Sequence, residues 1–321
     1  MSKRRINKQQ AARIQKIQAD FLEETHPLND LNHQGLVVTR YGKHAEVETE
    51  KGKIIHCLIR PNIDSLVAGD QVIWQVQGET QGVIVSRFPR KVVLEKQDKR
   101  GSKPIAANIS QLIIVVAPKP AITWSLLDSY LVITEHLGLN PILLLNKTDL
   151  ECADIKTAFV YYKSIGYPVL FLSNTEPDSF SSLETHLINQ ISVFVGQSGV
   201  GKSSIIAQIL PHESIQTAEI SLSSELGCHT TTNSRFYHLP KGGALIDSPG
   251  VREFGLWEMP RQDIIYGFRE IRNLTSSCRF RNCDHQQSPG CAITQAVYDG
   301  NISAKRYDSF LKILTQYAVD L

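Results

Sequence analysis

Long apolar runs are missing from this sequence. No stretch reaches the roughly 18 residues that a membrane-spanning helix needs, so no membrane partner is expected. The basic start is followed by no apolar core, so a secretory signal is not expected either. Net charge is almost absent: 34 Lys and Arg face 32 Asp and Glu, leaving +2, which excludes a polycation. Acidic residues are missing from one place in particular. Residues 1–16 carry Lys3, Arg4, Arg5, Lys8, Arg13 and Lys16 without an Asp or Glu. Such an arm buries little apolar surface and repels itself, so it is expected to be disordered or weakly helical. It is either a solvated tail or an anchor for a phosphate backbone. Cysteine is sparse, six in 321 residues, and unevenly spread: Cys278, Cys283 and Cys291 crowd together with His285 among them. With no secretory signal, that crowding points to metal binding rather than disulfides, and to the cytoplasm.

What is present falls into blocks. Between residues 35 and 100, β-branched runs at Gly35–Val38, Ala45–Glu48, Ile54–Ile59, Gln71–Trp74 and Gly82–Ser86 are divided by Gly, Asn and Asp turns. They read as short strands. Five such strands suit a small barrel; an OB-fold has that count, and an SH3-like barrel is not separated from it by counting. Residues 87–104 are basic and contain Gly and Pro, which reads as a charged linker. From residue 111 the apolar runs Leu112–Ala117, Ile142–Leu145, Val169–Leu172, Val193–Val195 and Ala244–Ile246 alternate with helical stretches. Buried strands spaced by helices imply a parallel sheet covered on both faces. Residues 260–321 read as helices around the cysteines. The expected organisation is α/β: a basic extension over 1–34, an OB-fold β-barrel over 35–101, a nucleotide-binding domain over 102–259, and a helical metal-binding domain over 260–321.

Residues 196–203 match G-x-x-x-x-G-K-[ST], after an apolar strand and before a helical stretch. That context suits a P-loop. Gly196, Gln197, Ser198, Gly199, Val200 and Gly201 would wrap phosphates with backbone N–H groups, and the helix start at Ser203 and Ser204 adds positive potential. Lys202 would reach the β- and γ-phosphates, and the Ser203 hydroxyl would ligate Mg²⁺. A P-loop does not choose a base, but Asn146-Lys147-Thr148-Asp149 does. As an NKxD motif at a strand end, it sets the Asp149 carboxylate against the ring N–H and exocyclic amine of guanine. Adenine lacks that pair, so a buried Asp149 would be left unpaired with ATP. Lys147 would lie along the base and Asn146 would tie this loop to the P-loop. Ser173 follows the next strand, where GTPases often carry Ser-Ala; Asn174 departs from that pattern.

Asp247-Ser-Pro-Gly250 fits D-x-x-G. Asp247 would hold Mg²⁺ through water, and the Gly250 N–H would sense the γ-phosphate. Upstream, Gly227–Thr232 fits a switch loop in which one threonine ligates Mg²⁺; Thr231 is favoured, with Thr230 and Thr232 beside it. A polar turn is the other reading of those threonines. The motif order is NKxD, P-loop, threonine loop, D-x-x-G, whereas ordinary GTPases place NKxD last. Circular permutation accounts for this, because doubly wound domains keep their termini close together. No LSGGQ-like segment is present, which disfavours an ABC-type ATPase. No glutamine follows D-x-x-G: Val251 stands there and cannot orient water. His229 is the nearest polar candidate, either as the water-orienting group or as a structural loop histidine. Gly199 stands where a potassium-holding Asn sits in some GTPases.

Cys278-x4-Cys283-x-His285-x5-Cys291 supplies three thiolates and one imidazole, a closed tetrahedral set for one structural Zn²⁺. Pro289-Gly290 turns the chain back toward the fourth ligand. Arg269, Arg272, Arg279 and Arg281 flank the set, either meeting phosphates or forming a solvated face.

The barrel signal, the permuted motifs and the Cys3His set together resemble the circularly permuted ribosome-assembly GTPases of the RsgA (YjeQ) family. Val67–Trp74, Asn146–Asp149, Gly196–Ser204, His229–Thr231, Asp247–Gly250 and the four metal ligands carry the resemblance, from about residue 35 onward. It implies an OB-fold that binds RNA and a monomer that binds GTP and GDP. It also implies a partner, the small (30S) ribosomal subunit with its rRNA, which stimulates GTP hydrolysis, and release of assembly factors late in subunit maturation. Two other classes remain: a P-loop kinase or ATPase, which Asp149 opposes, and an RNA-binding protein with a degenerate GTPase scaffold, which Lys202, Ser203 and Asp247 oppose.

Overall fold

The computed structural model describes residues 32–63, 65–78, 81–98, 101–173, 175–211, 234–247, 254–286 and 288–319. Two units emerge from its internal contacts. One comprises the chain up to Ile109 with the segments 231–237 and 245–250; the other comprises 110–230, 238–244 and 251–321.

In the first unit, β1 (Asn32–Tyr41), β2 (His44–Thr49), β3 (Ile54–Ile59), β4 (Gln71–Gln77) and β5 (Gln81–Arg87) are the five expected strands. Strict alternation in β2 and β3 turns Ala45, Val47, Ile55 and Cys57 inward, where they meet Val37, Val72, Trp74 and Ile84. β1 pairs with β2, β2 with β3, β3 in parallel with β5, β5 with β4, and β4 with β1 again. The ring therefore closes with no free edge, in the order of an OB-fold barrel. Its interior is tight at Gly82: a Cβ there would lie 2.7 Å from Trp74 Cε3 and 2.8 Å from Cys57 Sγ.

The turn before β4 is held by a buried carboxylate. Asp70 accepts from the Val67 N–H at 2.8 Å and from Arg90 through both oxygens, at 2.7 and 2.8 Å. The basic stretch 87–104 is not a simple linker. Residues β6 (Val93–Asp98) and β7 (Gly101–Ala107) form an antiparallel hairpin. Leu94, Ile105, Ala106 and Ala107 are buried, so apolar positions hidden among lysines supply a core-facing side. β12 (Arg235–His238) pairs with β1 at Thr39, and β13 (Ala244–Asp247) lies beside β12.

The second unit is built on a parallel sheet. β8 (Gln111–Val116), α1 (Trp124–Leu137), β9 (Asn140–Leu145), α2 (Ala153–Ser164), β10 (Val169–Phe171), α3 (Phe180–Leu187), β11 (Ile191–Val195) and α4 (Lys202–Ile209) follow in turn. The strands run β10-β9-β8-β11, each pair parallel. All six residues of β8 are buried, as a strand covered on both faces requires. Gly138, with φ of 65°, ends α1 by donating to the last carbonyls. The chain extends outward from β8 through β9 to β10, then returns to β8's other side with β11. That reversal opens a crevice at the carboxyl ends of β8 and β11, the usual ligand position in an open α/β sheet.

The C-terminal segment belongs to the same unit. It contains β14 (Met259–Pro260), α5 (Arg261–Tyr266), α6 (Ala292–Tyr298), α7 (Ala304–Tyr317) and β15 (Ala318–Val319), with β14 and β15 paired. A buried charge cluster joins it to the sheet's helices. Arg306 on α7, 1% exposed, donates to Asp128 of α1 at 2.6 Å and to Glu270 at 2.7 and 3.1 Å. Tyr162 of α2 donates to Asp128 at 2.8 Å, and the guanidinium lies 4.4 Å from the Phe268 ring centre. Burial alone would push the Arg306 guanidinium down, but Asp128 and Glu270 outweigh it and hold it well above its ordinary value. Among the described residues no helix is long and apolar enough to cross a membrane.

Replacing Arg306 leaves two carboxylates buried without their cation. Arg306→Met is expected to lose about 3–5 kcal/mol of stability, measured by urea unfolding of the purified protein. A loss under about 1 kcal/mol would show that the cluster does not fasten α7.

Candidate functional site: a phosphate loop, a base-reading loop and a metal cluster

The phosphate loop leaves β11 at Gly196 and enters α4 at Lys202. Its backbone demands glycine. Gly196 has φ of 136° and a Cβ there would collide with the Val115 carbonyl oxygen; Gly201 has φ of 97° and a Cβ there would collide with Asn146 Nδ2. The Lys202 side chain is buried and donates from Nζ to the Gly196 carbonyl at 2.6 Å and the Gln197 carbonyl at 2.7 Å. Its ammonium therefore sits inside the loop. Ser203 and Ser204 occupy the first turn of α4, where helix N–H groups favour an anion.

The base-reading loop leaves β9. Asn146 is fully buried and donates from Nδ2 to the Val200 carbonyl at 2.9 Å. Its Oδ1 has no protein partner. Lys147 adopts φ of 58° and donates to the Gly199 carbonyl at 2.7 Å. These bonds bring the two loops together across 50 residues of sequence. Thr148 backs onto the end of β10, its N–H donating to the Leu172 carbonyl at 3.2 Å. Ser173, fully buried, donates to Asp149 Oδ1 at 2.8 Å, and its own N–H is held by Ser179 Oγ at 3.2 Å. Asp149 is exposed rather than buried. Its carboxylate is oriented by the Ser173 hydroxyl.

Gln197 was expected to offer its backbone N–H, and its side chain has a separate attachment. Its side chain turns away from the loop, donating to the Ala121 carbonyl at 3.2 Å and accepting from the Thr123 N–H at 3.0 Å. Ser198 and Gly199 are exposed and Val200 is buried. Asp247 ends β13 in the first unit, at the position the D-x-x-G spacing implies. His229, Thr231 and Gly250 lie outside the described residues, as do Thr230, Thr232, Val251 and Asn174.

In the C-terminal segment, one ligand atom from each of Cys278, Cys283, His285 and Cys291 lies within 4.8 Å of the others. Cys278 Sγ is 4.0 Å from Cys291 Sγ and 3.7 Å from His285 Nδ1; Cys291 Sγ is 3.8 Å from the same nitrogen. A tetrahedral ion with metal–sulfur bonds of about 2.3 Å separates its sulfurs by roughly 3.7 Å, while a disulfide would bring two of them to about 2 Å. The spacing is that of a metal set. Burial first and Arg261 second lower the His285 pKa below its ordinary value. Burial raises the Cys283 thiol, but hydrogen bonds from the His285 backbone, Ser288, Cys291 and Cys278 bring it below its ordinary value. His285 has φ of 62°, and Tyr307 of α7 donates to its carbonyl at 2.6 Å.

Of the flanking arginines, two do not form an open phosphate-binding face. Arg269 donates to Glu135 at 2.6 Å and stacks 4.1 Å from the Tyr167 ring centre; Arg272 lies 3.5 Å from Glu135. Tyr307 and the Gln197 attachment had no sequence signal, because both depend on backbone carbonyls that only the fold brings near.

The RsgA GTPase family model matches residues 87–257. The small ribosomal subunit biogenesis GTPase RsgA of Marinobacter nauticus is 44% identical, with 98% of this chain and 96% of that protein covered. Its counterpart from Pseudomonas syringae pv. tomato is 41% identical over 100% and 99% of the two chains. Among solved structures, YjeQ from Thermotoga maritima superposes with a TM-score of 0.71 at 27% identity, covering 89% of this chain and 99% of its own. YloQ, described as a circularly permuted GTPase, gives 0.69 at 28% identity, covering 91% and 97%.

Gly201→Ala sets a methyl against Asn146 Nδ2 and strains a left-handed residue. Affinity for guanine nucleotide is expected to fall by about tenfold or more, some 1.4 kcal/mol, in titration with a fluorescent GDP analogue. An affinity within about twofold of the parent protein would mean that the Asn146 link is not needed for binding.

Proposed function

The chain belongs to the RsgA GTPase family, and from that premise we propose that it hydrolyses GTP to GDP and phosphate in maturation of the small ribosomal subunit. The observation that carries this reading is the buried bond from Asn146 to Val200. It joins a guanine-reading loop to a phosphate loop in one crevice. Asp149, oriented by Ser173, accepts from the two guanine donors; Lys147 covers the base; Asn146 holds the loops in register. Lys202 exchanges loop carbonyls for the β- and γ-phosphates, while Gly196–Gly201 and the start of α4 supply N–H donors.

Mg²⁺ is the expected ion with GTP, and it would neutralise phosphate charge. Ser203 is a hard oxygen ligand at the helix start, with Asp247 and Thr231 completing the protein's share. Gly250 would sense the γ-phosphate. His229 would orient the attacking water, because Val251 offers no hydrogen bond. The Cys3His set suits one structural Zn²⁺: soft donors, four in number, with spacings near a tetrahedral edge. We assign RNA binding to the barrel over 35–101, GTP turnover to 102–259 and zinc binding to 260–321. The protein acts as a monomer in the cytoplasm, on the 30S subunit and its rRNA, and GTP turnover releases assembly factors from it.

Asp149→Asn is expected to lose guanine preference, because an amide cannot accept from both guanine donors. Competition between GTP and ATP measures this, and an unchanged preference would reject Asp149 as the base reader. Cys283→Ser is expected to lose the metal and much of the C-terminal fold, since zinc binding is itself folding free energy. Elemental analysis should return about one zinc per parent chain; a zinc-free parent with a folded C-terminal segment would refute the structural site. Hydrolysis should be slow alone and markedly faster with purified small subunits. Subunit affinity, at stated salt, should be higher with a non-hydrolysable GTP analogue than with GDP. Equal rates and equal affinities would remove the subunit from the reading.

A further inference from the structure

Helix α1 and the segment that leads into it link the loops of the second unit to α7. At its start, Gln197 of the phosphate loop is bonded to the segment that leads into it, through the Ala121 carbonyl and Thr123 N–H. Lys147 of the base-reading loop also donates to that segment, at the Lys119 carbonyl, 3.1 Å away. Midway along, Tyr130 donates to the Phe254 carbonyl at 3.1 Å, so the chain emerging from the D-x-x-G region is pinned to the same helix. Asp128 receives Arg306 of α7, and Glu135 near the far end receives Arg269. On α7, Tyr307, next to Arg306, donates to the carbonyl of metal ligand His285 at 2.6 Å.

These contacts form a path from the phosphate loop through α1, and through Arg306 and Tyr307 of α7, to the metal ligand His285. Most of α1 from Leu127 to Thr134 is buried, and its backbone bonds are internal. A shift of the segment before α1 therefore moves the helix as a body rather than being absorbed within it. Arg306 prevents slippage at the other end, because sliding would strip a buried guanidinium of its carboxylates.

We propose that α1 couples the phosphate loop to the Cys3His module, with Gln197 and Tyr307 as the positioning residues at the two ends of the path. Nucleotide in the loop tightens metal retention, and metal in the cluster tightens nucleotide binding by the same factor, as linkage requires. The proposal rests on reading the loop as the GTP site and the cluster as the zinc site.

The test uses the full-length protein. Zinc affinity is measured by competition with a chromophoric chelator, with and without saturating GDP and Mg²⁺, and GDP affinity is titrated separately. In the parent protein GDP should tighten zinc binding by about fivefold. In Gln197→Met and Tyr307→Phe that ratio should fall toward one, whatever each substitution does to either affinity alone. Lys312→Gln, on the exposed face of α7 and outside the path, should keep the parent ratio. An unchanged zinc affinity on adding GDP to the parent protein would overturn the proposal, as would a full ratio in both variants. Failure of the parent to bind GDP or zinc at all would overturn the underlying reading with it, and the separate titrations reveal which site failed.

Discussion

Arginine cannot shed its charge in a protein interior, and Arg306 is 1% exposed. The second unit is arranged around that fact. A buried guanidinium must be surrounded by acceptors, and they come from three places: Asp128 on α1, Glu270 after α5, and the ring of Phe268 beside them. Tyr162 from α2 donates to the same Asp128 oxygen that Arg306 holds. Four segments far apart in sequence are thereby forced into one packing. Replacing such a cluster with apolar residues often costs nothing in stability, so its value here is positional: the Arg306–Asp128 bond fixes α7 against α1.

The nucleotide crevice depends on that packing at one remove. Its two loops leave β9 and β11, which flank β8, and the segment following β8 runs into α1. The crevice is thus bounded by the carboxyl ends of three adjacent strands, and their order along the chain does not matter to it. That is why a permuted chain builds the same site. What permutation changes is connectivity. In sequence, Asp247 is followed by the C-terminal segment with its Cys3His set, whereas an ordinary GTPase places its NKxD motif after D-x-x-G.

The strands were legible wherever burial was uniform or alternating. β8 and β9 declare themselves as apolar runs, and β2 and β3 by their period of two. The β6–β7 hairpin was hidden because its inward residues, Leu94, Ile105, Ala106 and Ala107, lie in or beside a stretch, 87–104, dense in lysine and arginine. For Arg269 and Arg272 the sequence left phosphate contact and a solvated face both open for a similar reason: composition reports charge but not the partner that meets it. Glu135 stands 134 and 137 residues away from them. Asp149 was expected to be buried, yet its carboxylate is exposed and aimed by Ser173.

By itself the sequence determined the chemistry of the sites. A P-loop, an NKxD turn and a Cys3His set each span a few residues, and each works through local geometry: glycines that permit left-handed backbone, a strand end that presents a loop, a turn that returns a ligand. Such geometry needs no distant information. The tertiary structure alone decided which loops face one another and what holds them there. Asn146 reaches Val200 across 54 residues, Tyr130 reaches Phe254 across 124, and Arg306 reaches Asp128 across 178. A hydrogen bond's worth depends on burial and on the exact approach of its partner, and over such separations both are set by the packing of the whole unit rather than by neighbouring residues.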